Sequence, residues 1–195
     1  MFQILAQHSL SVEIKKSTFI ATCLPISSTD DVARVLETLR QPNATHNCWA
    51  YRIGNAYRFN DDGEPGGSAG RPMLAAIDGQ QFDGVLAHVV RYFGGIKLGV
   101  GGLVRAYGNT VAECLRSAPK AEIVPKKAFS IEMGFADSYA VYGLMHSMNI
   151  AKINESYSDT GIILELSVPN ADYNEIYRRL IDATAGRIRI LSDNE

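Results

Sequence analysis

Residues 89–107 read Val-Val-Arg-Tyr-Phe-Gly-Gly-Ile-Lys-Leu-Gly-Val-Gly-Gly-Leu-Val-Arg-Ala-Tyr, and this stretch decides the fold of the part of the chain around it. The apolar, β-branched run from Val85 to Phe93 predicts a buried strand. Apolar residues at helical spacing from Leu103 onward predict an amphipathic helix. A strand, a glycine loop and a helix start form the geometry in which backbone N–H groups can face an anion. The stretch therefore predicts a site as well as a fold.

Three cations and no acidic residue lie between positions 91 and 105, which gives a local charge of +3 in a chain whose net charge is −2. We hypothesise that this segment contacts a phosphate-bearing partner such as RNA. Cations neutralise phosphates, and glycines expose backbone N–H groups. The predicted anion- or nucleic-acid-binding residues are Arg71, Arg91, Gly94, Gly95, Lys97, Gly99, Gly101, Gly102 and Arg105.

The glycine spacing fits neither the dinucleotide-binding pattern G-x-G-x-x-G nor the phosphate-binding loop G-x-x-x-x-G-K-[ST]. Two interpretations stay open for these glycines. One is a tight turn with close helix–strand packing. The other is a phosphate nest with Lys97 and Arg105 as counter-charges. Tyr92 and Tyr107 are compatible with stacking on a base or with a place in the core.

An acidic, glycine-rich loop lies at residues 60–72 and carries Asp61, Asp62 and Glu64. It is open to three interpretations: a solvated turn, a hard-cation site for Mg²⁺ or Ca²⁺, or carboxylates that hold a nearby arginine by paired hydrogen bonds. The candidate arginines are Arg71, Arg91 and Arg105. Ser68 is predicted to cap the helix that follows. The residues predicted to support the site are His46, Asp61, Asp62, Glu64, Ser68 and Tyr92.

The composition, with 46% hydrophobic and 21% charged residues, is typical of a globular protein. No apolar run reaches the roughly 18 residues that a transmembrane helix needs, and the N-terminus does not have the pattern of a signal peptide. Three cysteines without Cys-x-x-Cys spacing indicate reduced thiols. We therefore expect a cytoplasmic protein without a cofactor, and the small negative net charge argues against a bulk nucleic-acid coat protein.

Strand and helix patterns alternate irregularly along the chain and predict an α+β fold in two domains, residues 1–122 and 123–195. The C-terminal pattern is βαββαβ, which is typical of ferredoxin-like domains. The outward positions of its predicted sheet include no aromatic residue, so stacking of RNA bases there is not expected. This domain is better interpreted as a docking or packing domain.

Four motifs together resemble the IMPACT/YigZ family, and they cover most of residues 11–107. They are Glu13-Ile14-Lys15-Lys16-Ser17-x-Phe19-Ile20-Ala21, His46-x-Cys48-x-Ala50, Asp61-Asp62-Gly63-Glu64-Pro65-x-Gly67-Ser68-Ala69-Gly70-x-Pro72, and Val89-Val90-Arg91-Tyr92-Phe93-Gly94-Gly95-Ile96-x-Leu98-Gly99-x-Gly101-Gly102-Leu103. The resemblance implies a first domain like a ribosomal-protein fold and domain IV of elongation factor G, a β-sheet with helices on one face. It implies a second domain like domain V of that factor.

Both of these relatives act on ribosomal RNA, and eukaryotic members of the family are known as translational regulators. The resemblance therefore implies a protein that binds RNA or the ribosome, or a protein partner in translation, without demonstrated catalysis. The kinase-linked partner of the eukaryotic members is not carried over, because the second domain differs. Two alternatives stay open: a metal-assisted enzyme acting on a phosphate-bearing substrate, and a protein-docking module without an anion site.

Overall fold

The computed structural model describes residues 1–148 and 150–193, and it is built from two compact units, Met1–Ile123 and Val124–Glu195. Residues 194 and 195 of the predicted second domain lie outside the described residues. No helix in the described part of the chain is both long and apolar enough to cross a membrane. The mixture of sheets and helices confirms the predicted α+β class.

Short 3-10 turns precede three of the helices, and the first unit contains two short strands, Phe2–Ile4 and Lys120–Glu122, that were not predicted from the sequence. The strands are β1 (Phe2–Ile4), β2 (His8–Ile14), β3 (Ser17–Pro25), β4 (His46–Ile53), β5 (Ala56–Asn60), β6 (Val85–Tyr92), β7 (Lys120–Glu122), β8 (Lys126–Gly134), β9 (Ala151–Tyr157), β10 (Gly161–Pro169) and β11 (Arg189–Asp193). The helices are α1 (Val32–Leu39), α2 (Gly70–Gly79), α3 (Val100–Ser117), α4 (Ser138–Ser147) and α5 (Tyr173–Ala183).

The first unit is built on a five-stranded antiparallel sheet in the order β2-β3-β6-β4-β5, and β1 pairs with β7 in a separate two-stranded sheet. Strand β6 lies in the centre, and seven of its eight residues are buried. Alternate residues of β4 and β6 pack against α2 and α3 in the main core, where Tyr107 of α3 is fully buried. The predicted amphipathic helix after the glycine loop is thus confirmed.

The expectation that the helices lie on one face of this sheet is wrong for α1. Val32 of α1 packs with Tyr51 and Leu86 in a second cluster, and Leu86 alternates with the residues of β6 that face α2 and α3. Helix α1 therefore covers the opposite face. A strand that is apolar on both sides needs cover on both faces, which is the physical reason for this arrangement.

The second unit has the predicted element order β8-α4-β9-β10-α5-β11. Its four strands form an antiparallel sheet in the order β11-β8-β10-β9. Phe129, Ile131 and Met133 of β8 alternate into a core with residues from both helices, such as Val141 and Leu180. The alternation of apolar and polar residues in β8 leaves the other face of the strand half-buried.

Candidate functional site

The glycine loop between β6 and α3 packs tightly against the β2–β3 turn. A Cβ atom on Gly94 would lie 1.7 Å from the carbonyl oxygen of Lys16, so only glycine fits there. The Gly94 N–H donates to Ser17 Oγ at 3.2 Å. Gly99, at φ +73°, turns the chain into α3. The close-packing interpretation therefore holds for Gly94, and Gly95 stays exposed in the loop.

The start of α3 presents backbone donors. Gly101 and Gly102 lie in its first turn, and the Leu103 N–H bonds the Gly99 carbonyl at 2.9 Å. The helix has no side-chain cap at this end. The first N–H groups of a helix have no partner within the helix, and its dipole favours negative charge there.

Four exposed cations surround this loop, and we call them the cationic rim: Lys15, Lys16, Lys97 and Arg105. Lys15 and Arg105 line a shallow cavity of about 310 Å³ that also includes Leu98 of the loop. None of the four has an ion pair with a residue in the described ranges. Lys15 and Lys16 were not predicted to lie beside the glycine loop, because Lys16 is 78 positions before Gly94 in the chain.

Arg91, in contrast, is not a surface cation. Its side chain is 6% exposed and its Nη1 lies 2.6 Å from Oε1 of Glu64, whose side chain is 3% exposed. The guanidinium lies over the rings of Phe19 and Phe93. Of the three interpretations of the acidic loop, the carboxylate–arginine pair is the one that Glu64 adopts, and its partner is Arg91.

Two further residues that were predicted for the site, Arg71 and Tyr92, do not belong to the cationic rim. Arg71 is exposed in the first turn of α2, and Tyr92 is half-buried at the end of β6 opposite Thr18 of β3. Within the described ranges, neither side chain has a hydrogen bond or an ion pair with a residue of the cationic rim.

Asp61 caps α2, a role that the sequence assigned to Ser68. The Asp61 carboxylate accepts hydrogen bonds from the backbone N–H groups of Gly67, Ala69 and Gly70 at 2.8–2.9 Å. Ser68 is buried and its Oγ has no hydrogen-bond partner among the described residues. The cap prediction for Ser68 is wrong, because the loop folds back and brings a stronger, charged acceptor to the same N–H groups.

We expect Asp61→Ala to lower the free energy of unfolding of the first unit by about 2 kcal/mol, because three N–H donors lose a charged acceptor. Denaturant titration followed by fluorescence of Trp49, the one tryptophan of the sequence, reports on this unit. Ser68→Ala is the control and should be neutral, because it removes an unpaired hydroxyl. A larger loss for Ser68→Ala than for Asp61→Ala would contradict this assignment.

Asp62 holds His46 and the start of β4 in place. Its Oδ2 accepts a hydrogen bond from the Asn47 N–H at 2.6 Å, and its carbonyl oxygen accepts one from His46 Nδ1 at 2.7 Å. Because a carbonyl can only accept, the proton lies on Nδ1. The described residues contain no group of three His, Cys, Asp or Glu side chains placed to hold a metal ion.

A buried polar chain links the glutamate to the core. The Tyr107 hydroxyl donates to Glu64 Oε1 at 2.7 Å, and Cys48 Sγ lies 3.4 Å from that hydroxyl. Burial raises the pKa of the Cys48 thiol to about 12, so the thiol stays protonated and is not a nucleophile. Burial likewise raises the pKa of Tyr107. From the sequence, Tyr107 was interpreted only as a core residue or a residue that stacks on a base. Its helical spacing does not reveal the hydrogen bond to Glu64.

A cavity of about 450 Å³ opens beside the glycine loop, and the Glu64–Arg91 pair forms part of its lining. Its walls are largely apolar, and Lys97 and His46 are also at its surface. The lining residues are Thr45, His46, Glu64, Pro65, Arg91, Phe93, Lys97, Leu98, Gly99, Val100 and Leu103.

Comparisons with known proteins show which proteins this chain is similar to. The model of the Impact N-terminal domain matches residues 15–115, which include the glycine loop, the acidic loop and α3. An IMPACT family member of Thermus thermophilus is 42% identical over 176 residues, which is 90% of this chain and 97% of that protein. The rat protein IMPACT is 34% identical over 100 residues, 47% of this chain and 32% of the rat protein. A crystal structure of a hypothetical protein superposes with a TM-score of 0.70 at 32% identity, covering 100% of this chain and 97% of that one.

Proposed function

This chain belongs to the IMPACT family, and we propose that within this family it binds RNA or a ribosome-associated surface and modulates translation. The observation that carries the proposal is the cationic rim beside the uncapped start of α3. Four exposed cations without carboxylate partners in the described ranges stand next to backbone N–H groups. Phosphate groups are the ligands that such a surface attracts.

The fold of the second unit supports the translation part of the proposal. We propose that the first unit is like domain IV of elongation factor G, as the sequence resemblance implies. In the second unit, the sheet order β11-β8-β10-β9 places the fourth, first, third and second strands of the unit side by side. With two helices in the βαββαβ order, this arrangement favours a ferredoxin-like domain such as domain V of that factor.

We expect Arg105→Ala to weaken binding of single-stranded RNA by about three- to tenfold at physiological salt and to lower the salt slope by about 0.7, because one phosphate contact is lost. Fluorescence anisotropy of a labelled RNA at several salt concentrations measures both quantities.

Arg116→Ala provides the matched control. Arg116 is exposed near the other end of the same helix, about 16 Å away at 1.5 Å per residue. It should leave both affinity and slope unchanged. Equal effects of the two substitutions would show that the charge acts only through the net charge of the chain and would contradict a site at the glycine loop.

The metal-assisted alternative has no structural support in the acidic loop. Asp61 and Asp62 accept backbone hydrogen bonds and Glu64 pairs with Arg91, so at least one oxygen of each carboxylate already has a donor. The docking alternative differs from RNA binding in its salt dependence, because a contact without phosphates releases no counterions. The salt slope in the experiment above therefore separates these two functions.

A further inference from the structure

The cavity beside the glycine loop contains two hydrogen-bond acceptors that face each other without a donor between them. His46 Nε2 lies 3.8 Å from Glu64 Oε2, which is beyond hydrogen-bonding distance. His46 Nδ1 donates its proton to the carbonyl of Asp62, and in this tautomer Nε2 is an acceptor. Within the described residues, Glu64 Oε2 accepts no hydrogen bond, because Arg91 and Tyr107 both donate to Oε1.

A single group with two hydrogen atoms on one nitrogen satisfies both acceptors. An amino group placed about 2.9 Å from each acceptor spans their separation, which a hydroxyl with one hydrogen does not. The Glu64 side chain is 3% exposed, and an acceptor on so enclosed a side chain is normally paired. Arg91 Nε is buried and has no hydrogen-bond partner among the described residues, so each side chain of the Glu64–Arg91 pair has one polar atom without a partner there.

The surroundings of these acceptors fit a planar aromatic ligand with a phosphate. Phe93 is 45% exposed and, with Leu98 and Val100, gives the cavity apolar walls. Lys97 is exposed at the lining of the same cavity, where a phosphate attached to the ligand would meet a cation. A volume of about 450 Å³ lies within the range of small-molecule sites.

We propose that this cavity binds one unpaired nucleotide of an RNA whose base bears an exocyclic amino group, with that group donating to His46 and Glu64 and the phosphate on Lys97. Single-stranded RNA is commonly recognised through bases that are splayed out into such pockets. The inference rests on the proposed function, because the cationic rim would hold the neighbouring phosphates. It adds base selectivity, which the rim alone does not supply.

Calorimetric titration of the full chain with CMP and UMP tests the proposal, since these nucleotides differ at the base edge in the amino group of cytosine and the carbonyl oxygen of uracil. We expect CMP to bind about tenfold more tightly than UMP, because a well-placed pair of hydrogen bonds discriminates by this order. AMP should be preferred over IMP for the same reason. Equal affinity within each pair would overturn the proposal.

Two variants locate the binding. His46→Ala removes one acceptor and should abolish the preference for CMP. Val100→Trp places a large ring at the cavity wall and should abolish CMP binding, while Val104→Trp, one turn along the same helix and outside the lining, should not. Val100 and Val104 are both exposed, so both variants should fold. Unchanged CMP binding by Val100→Trp would overturn the assignment to this cavity.

A short oligocytidine separates an RNA site from a site for free nucleotides. We expect it to bind at least about tenfold more tightly than CMP, because the rim adds phosphate contacts. If CMP binds more tightly than UMP but the oligocytidine binds no more tightly than CMP, the assignment to RNA is overturned. The cavity is then a site for free nucleotides. Salt-dependent RNA binding without a preference for CMP would overturn this inference alone and leave the proposed function standing.

Discussion

Glu64→Ala is expected to lower the free energy of unfolding of the first unit by about 3–5 kcal/mol, because it leaves the buried Arg91 charge without its partner. The guanidinium and the carboxylate are 6% and 3% exposed, so water replaces little of the lost contact. The Tyr107 hydroxyl loses its acceptor at the same time. Denaturant titration followed by Trp49 fluorescence gives the change.

Asp31→Ala is the control for this prediction. Asp31 also forms an ion pair with an arginine of the first unit, Arg34, but both side chains are well exposed at 45% and 72%. Exposed pairs contribute at most about 1 kcal/mol. A loss as small for Glu64→Ala as for Asp31→Ala would mean that the Glu64–Arg91 pair is hydrated in solution, and that Arg91 is available as a surface cation after all.

Gly94→Ala is expected to destabilise the first unit by about 3 kcal/mol or more, at the upper end of the range for overpacking. The added Cβ would stand 1.7 Å from the backbone oxygen of Lys16, and backbone atoms cannot rotate away as a side chain can. Relief of this clash requires the glycine loop to separate from the β2–β3 turn. The same Trp49 titration measures the effect.

Gly66→Ala tests whether the effect is specific to that position. An added Cβ on Gly66, in the acidic loop, meets no atom within 4 Å, so we expect a change of less than about 1 kcal/mol. Because the clash at Gly94 involves the segment that carries Lys15 and Lys16, Gly94→Ala should also weaken RNA binding. Normal stability of Gly94→Ala would show that the loop and the turn are not in contact.

Local patterns in the sequence were sufficient for the class of fold, because strand and helix periodicities depend on neighbouring residues. The face of the sheet on which α1 lies was predicted wrongly, since that depends on which side of β6 a distant helix covers. A clue was present: the continuous apolar run around β6 indicates burial on both faces and so requires a layer on each side.

The site was predicted less completely, because its contacts join residues that are far apart in sequence. Arg91 was predicted to bind an anion and, as one of three candidate arginines, to pair with the acidic loop. Its neighbours in β6 are buried, and a charged residue within a buried strand normally has a partner, which favours the pair. Spacing alone could not choose Glu64 among the three carboxylates or Arg91 among the three arginines. Likewise, Asp61 reaches the start of α2 only because the glycine-rich loop folds back. The sequence pattern favoured Ser68 as the cap of this helix because Ser68 lies closer to it along the chain.

The salt dependence of RNA binding tests the central claim most directly, with the native chain compared with one in which Lys15, Lys16, Lys97 and Arg105 are all replaced by glutamine. The account predicts that the slope of log affinity against log salt falls by about 3, at roughly 0.7 per lost phosphate contact on a single strand. An unchanged slope and affinity in the fourfold variant, with the fold intact by Trp49 fluorescence, would contradict the claim that this rim holds the phosphates.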